Sequence, residues 1–158
     1  MRYLGMSHNQ LFNLIKEPIK HTAFIVFFDT GKQSELDKQL LHKLQTYPSL
    51  NLFVDDVSKD IDSCKEPTKQ DVTNIINYIN NNESSYLIVS CTAGISRTGA
   101  VIHYLDELTH TQNNWKMSYD NELKLNYFAN DKYLPNITLD KLLQEHLRRD
   151  THEKTYLQ

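Results

Sequence analysis

Ala23 to Phe28 is an unbroken apolar run, AFIVFF, shut off by Asp29, Thr30 and Gly31. It is too short to cross a bilayer and offers no polar face to water. It therefore reads as a strand buried on both sides, which requires covering elements above and below its sheet. The chain supplies such elements in alternation. Leu36, Leu40, Leu41 and Leu44 recur at helical spacing, and Leu50 to Val54 read as a second strand. Thr68 stands where it can cap a helix whose stripe is Val72, Ile75, Ile76 and Ile79. Tyr86 to Val89 (YLIV) form a third buried strand, and Ala100, Val101, Tyr104, Leu105 and Leu108 form the next helical stripe. A short strand around Tyr3 to Met6 is expected to join an edge. This order predicts an α/β fold with a central, mostly parallel four- or five-stranded sheet flanked by helices.

The last third carries no strand signal. Tyr119, Leu123 and Tyr127 fit one helix; Leu139, Leu142, Leu143 and Leu147 fit another, with Pro135-Asn136 between them. Residues 1–158 are read as a single domain whose polar end, from about 150 to 158, frays. The net charge of −3 builds no basic field for nucleic acid or an acidic membrane. No apolar stretch approaches the ~20 residues of a membrane span, and Met1 to Met6 are too short for a signal peptide. The two cysteines, Cys64 and Cys91, make no disulfide framework, so a cytoplasmic location is expected. No His/Cys cluster has metal-ligand spacing, which predicts neither metal nor cofactor. His103 and His110 read as packing or surface side chains, and Trp115 and Met117 as packing in a connector. Nothing in the sequence bears on oligomeric state.

In open parallel sheets, ligands bind beyond the carboxyl ends of the strands. The turn after Tyr86 to Val89 is therefore the place to look, and it reads Ser90-Cys91-Thr92-Ala93-Gly94-Ile95-Ser96-Arg97-Thr98-Gly99. A short loop between a strand and a helix can aim successive backbone N–H groups inward and form an anion nest, to which the helix N-terminus adds positive potential. Thr92, Ala93, Gly94, Ile95, Ser96 and Arg97 would line it. Gly94 permits a tight turn, and the planar fork of Arg97 suits two phosphate oxygens. The same positive environment favours the thiolate of Cys91, the form that attacks phosphorus. The hydroxyl of Thr98 can support that sulfur.

The run from Cys91 to Gly99 resembles the signature loop of the protein tyrosine phosphatase superfamily, Cys-x5-Arg-Ser/Thr. The chain's size resembles the compact dual-specificity branch, as do a Phe-x-Asp pattern upstream and a Pro-Asn pair downstream, features of its small bacterial and phage members. The similarity spans about residues 22 to 145. Low-molecular-weight phosphatases share the spacing but carry it near the N-terminus, and the Arg97-Thr98-Gly99 ending fits rhodanese-type sulfurtransferases poorly. Ser90 stands where the family usually has His. That departure bears on how far the Cys91 thiol is acidified, and less on the reaction.

The resemblance implies a cysteine-phosphatase-like fold and a phosphocysteine mechanism. Cys91 attacks phosphorus, and Arg97 and the loop amides hold the equatorial oxygens. An aspartate, placed some thirty residues earlier and just after a strand, protonates the leaving group and then activates water. Asp55, Asp56, Asp60 and Asp62 compete for that role. Side chains alternate along a strand, and Asp56 continues the register of Leu52 and Val54, two residues after its last apolar position; the resembled family carries its acid at the matching place, which implies Asp56 as the acid. The implied substrate is a phosphorylated protein, on tyrosine first and on serine or threonine second. A phosphometabolite, nucleotide or RNA end is an alternative, as is a non-catalytic phosphate-binding module. The variable loop positions hold no lysine, which disfavours inositol phosphates. Cys64 follows the acid segment and reads as a loop cysteine rather than a redox partner of Cys91.

Overall fold

A computed structural model describes residues 2–57, 64–109, 118–120, 125–127 and 134–156. Strand β1 spans Arg2–Ser7, helix α1 His8–Leu14, β2 Thr22–Phe28, α2 Glu35–Leu44 and β3 Ser49–Phe53. After them come α3 at Lys69–Asn81, β4 at Tyr86–Cys91, α4 at Arg97–Thr109, β5 at Ser118–Asp120, β6 at Leu125–Tyr127 and α5 at Ile137–Tyr156. The central sheet has four strands in the order β1-β4-β2-β3, all parallel. The expected edge strand is β1. The two strands read as buried on both faces, β2 and β4, sit in the middle and are buried along their whole length.

Alternate side chains of β2 divide the core. Phe24, Val26 and Phe28 meet Leu11, Leu40 and Leu44 of α1 and α2 on one face. Ala23, Ile25 and Phe27 share the other face with Val72, Ile75 and Ile76 of α3, Val101 and Leu105 of α4, and Leu139 and Leu143 of α5. This two-sided burial is what the continuous apolar runs demanded. Thr68 caps α3 as expected: its hydroxyl accepts from the Asp71 N–H, and Asp71 reaches back to the Thr68 N–H.

Two features depart from the sequence reading. Helix α1 follows β1 directly, and Ser7-His8-Asn9-Gln10 closes it with a capping box. That S-x-x-Q signal was available but lies beside too short an apolar stripe to stand out. The helix expected over Tyr119, Leu123 and Tyr127 is replaced at both described ends by strands: β5 and β6 pair antiparallel, with Ser118 opposite Tyr127. Leu123 lies outside the described residues. Three residues at spacing four are thin support for a helix, and tyrosine itself favours extended backbone. At the other end of the chain, α5 continues to Tyr156.

The register aligns the carboxyl ends of the strands at one edge. Ser7 lies opposite Cys91, Val26 opposite Ser90, and Phe28 opposite Phe53. The segments leaving β1, β2, β3 and β4 therefore meet around Cys91.

Candidate active site

Cys91 is the last residue of β4, and Arg97 is the first of α4. The loop between them rests on the β1–α1 junction. The His8 N–H donates to the Thr92 carbonyl at 3.4 Å. Gly94 has a φ of +70°, and a Cβ there would lie 2.5 Å from the Met6 carbonyl carbon and from the Ser7 nitrogen. Both the left-handed conformation and the backbone contact exclude a side chain, so the sequence's glycine is required twice over. The backbone N–H groups of residues 93–97 find no acceptor among the described residues. Backbone amides left without an acceptor at a helix start can bind an anion.

The sulfur and the guanidinium sit within this frame. The Thr98 hydroxyl donates to Cys91 Sγ at 3.1 Å, and both residues are buried. Arg97 is only 3% exposed. Its Nη1 donates to Asp29 Oδ1 at 2.8 Å and to the Val54 carbonyl at 2.7 Å. Its Nη2 makes a long contact, 3.4 Å, with Thr92 Oγ1, and its Nε is buried without a partner. A buried, unpaired N–H on a charged group is costly. Here it leaves the Nε–Nη2 edge of the fork available to an oxyanion, while Asp29 and Val54 hold the Nη1 corner. Ser90 Oγ, at the position of the family's usual histidine, is also buried without a partner.

The neighbouring aspartates have opposite surroundings. Asp55 is buried and accepts from the Thr30 N–H at 2.9 Å, the Thr30 hydroxyl and the Lys65 N–H at 2.6 Å. Burial alone would push its carboxyl up. The hydrogen bonds from Thr30 and Lys65, with the Arg97 charge, outweigh burial and hold it below the usual aspartate value. Asp56 is exposed and faces the loop: its Oδ1 accepts from Ser96 Oγ at 2.6 Å and from Asn136 Nδ2 at 2.9 Å. Asp60 and Asp62 lie outside the described residues.

The structure thus gathers Cys91, Arg97, Thr98 and Asp56 around one loop. His103 lies away from it, bound through Nδ1 to Asp140 on α5 at 2.6 Å. Cys64 and Cys91 are both free thiols. His110, Trp115 and Met117 fall outside the described residues. The sequence marks Asp29 as the end of a strand, and Asn136 as part of a break between helices and of the Pro-Asn pair of the resembled family, without giving either a place in the site; both touch it. Their signal was their position, a carboxylate at the carboxyl end of a buried strand and an Asn at a helix start.

An α/β sheet with a Cys-x5-Arg loop at its carboxyl edge defines the protein tyrosine phosphatase class, in its compact dual-specificity form. The family described as "DSP-PTPase phosphatase fused to NAD+ Kinase" matches residues 33–133, and the chain belongs to it. Among solved structures, the chain resembles the Yvh1 phosphatase domain from Chaetomium thermophilum. The TM-score is 0.53 at 12% identity, covering 94% of this chain and 90% of that one, which is a likeness of fold. No curated protein matches the chain. Among the described residues, no helix is long and apolar enough to cross a membrane.

Proposed function

We propose that the chain is a cysteine-dependent phosphomonoesterase acting through a phosphocysteine. The observation that carries this reading is the pairing of a buried Cys91 sulfur, held by the Thr98 hydroxyl, with a buried Arg97 whose Nε has no partner. A phosphate seated on the loop amides and the Nε–Nη2 edge would satisfy that N–H and place phosphorus above Sγ. An electron pair of the thiolate forms the S–P bond as the P–O bond breaks. The leaving oxygen takes the pair from that bond and a proton from Asp56. Water then attacks phosphorus and gives a proton to the Asp56 carboxylate. Phosphate departs and the thiolate returns, with the Thr98 hydroxyl stabilising it as the leaving group.

Asp56 is favoured over Asp55 because both Asp55 oxygens are engaged with Thr30 and Lys65, away from the loop. Phosphorylated protein, on tyrosine and then on serine or threonine, is the preferred substrate class. The family description, which names an NAD+ kinase as fusion partner, favours a phosphorylated nucleotide as the second reading. Turnover of an aryl phosphate, inhibited by vanadate and untouched by EDTA, is the first test. A phosphopeptide panel set beside nucleotide 2′- and 5′-phosphates separates the two classes. Absence of turnover with tight oxyanion binding would make the chain a phosphate-binding module.

A further inference from the structure

We propose that Asn136 is the positioning residue that holds the Asp56 carboxyl at the rim of the phosphate loop. The inference rests on the reading of Asp56 as the general acid. Asn136 is 5% exposed, and all its polar groups are used. Its backbone N–H donates to the Ser96 carbonyl at 3.0 Å, and its carbonyl accepts from the Asp140 N–H at 2.8 Å. Its Oδ1 accepts from the Leu139 N–H at 3.0 Å and so caps α5. Its Nδ2 donates to Asp56 Oδ1 at 2.9 Å and to the Val57 carbonyl at 3.2 Å. The amide orientation follows from these partners, since only Nδ2 can face a carboxylate and a carbonyl.

One residue, through its backbone and side chain together, therefore ties three segments that are distant in sequence: the end of the phosphate loop, the chain leaving β3, and the start of α5. Both donors to Asp56, Ser96 Oγ and Asn136 Nδ2, converge on Oδ1, and Oδ2 has no partner among the described residues. That arrangement suits a general acid. One oxygen fixes the group, and the other is left for the leaving group's proton. An exposed aspartate on a loop would otherwise sample several rotamers, and a small misplacement of a reacting group is expensive in rate.

The test separates capping from positioning. Asn136→Ser keeps a good helix cap but has a single oxygen, which the cap occupies. Asn136→Asp keeps size and cap but turns an acceptor toward Asp56. Each is assayed on phenyl phosphate, whose leaving group needs a proton, and on dinitrophenyl phosphate, whose leaving group does not. Positioning predicts that both variants lose about 10- to 100-fold in kcat/KM, which reports phosphocysteine formation and not its hydrolysis, on phenyl phosphate, and less than about threefold on dinitrophenyl phosphate. Neither should add to the leaving-group effect once Asp56 is already Asn. Thermal melts establish that the variants are folded. Equal losses on the two substrates, or no loss on either, would overturn the role of Asn136. If Asp56→Asn itself shows no leaving-group dependence, Asp56 is not the acid and the positioning role falls with it. That outcome is distinct, because it appears without any change at Asn136.

Discussion

The phosphate loop and the acid rim sit side by side but are built differently. Residues 91–97 are contiguous. Their shape comes from a strand end, a glycine with positive φ pressed on the Met6–Ser7 backbone, and a helix start. The rim is assembled from Asp56, Ser96 and Asn136, which belong to three separate stretches of chain and meet through side-chain hydrogen bonds. A contiguous site carries its geometry in a short motif and is rigid because backbone makes it. An assembled site depends on every element that brings its parts together. Substitutions at Cys91, Gly94 and Arg97 should therefore act on all substrates alike, and substitutions at Asp56, Asn136 and the Ser96 hydroxyl, which the rim borrows from the loop, should discriminate among them.

The largest expected effect is at the nucleophile. Cys91→Ser should remove turnover on every substrate while retaining vanadate or phosphate binding, because the proposed anion donors, the loop amides and Arg97, are unchanged; substantial activity in that variant would end the covalent mechanism. Arg97→Ala should lose turnover and oxyanion binding together, measurable by isothermal titration with vanadate. Gly94→Ala forces a Cβ into the Met6–Ser7 backbone and a residue into left-handed φ, worth about 1–3 kcal/mol of strain. It should depress kcat on phenyl and dinitrophenyl phosphate equally. A leaving-group-dependent loss there would erase the contrast between loop and rim.

Asp55 sharpens the contrast from the other side, because it supports the rim's backbone without facing the loop. Its folded-state pKa is depressed, so its stabilisation is complete above the unfolded value of about 3.9 and disappears as pH falls through the lower folded value. Denaturant melts of Asp55→Asn should show about 1–3 kcal/mol lost at neutral pH and a flatter decline on acidification. The smallest effect is expected at Ser96→Ala. It removes one of two donors to Asp56 Oδ1 and should cost a few-fold on phenyl phosphate, consistent with the modest net worth of one hydrogen bond, roughly 0.5–1.5 kcal/mol.

Much of this molecule was legible in its sequence, for physical reasons that differ by region. AFIVFF and YLIV could only be central strands, because no half-exposed strand is apolar at every position. The loop stands out because the chemistry proposed for it is local: a cysteine, a glycine and an arginine at fixed spacing. The helix expected through Tyr119 and Tyr127 gives way to strands at both of these residues, since a few tyrosines and leucines satisfy helix and strand spacing alike. Helix α1 was missed because its apolar stripe is short, although its capping box was present.

By itself, the sequence determined the class of the fold and singled out Cys91 and Arg97 as the proposed sulfur and guanidinium of the site, because buried runs and a strand–loop–helix motif are statements about neighbours in the chain. Only the tertiary structure decided which of two adjacent aspartates turns inward to Thr30 and Lys65 and which faces Ser96. It alone paired Asp29 with Arg97 and brought Asn136 onto Asp56. Strand alternation says that adjacent side chains point apart. It does not say what waits on either side, because those partners come from residues tens of positions away, placed by the packing of the sheet and its helices.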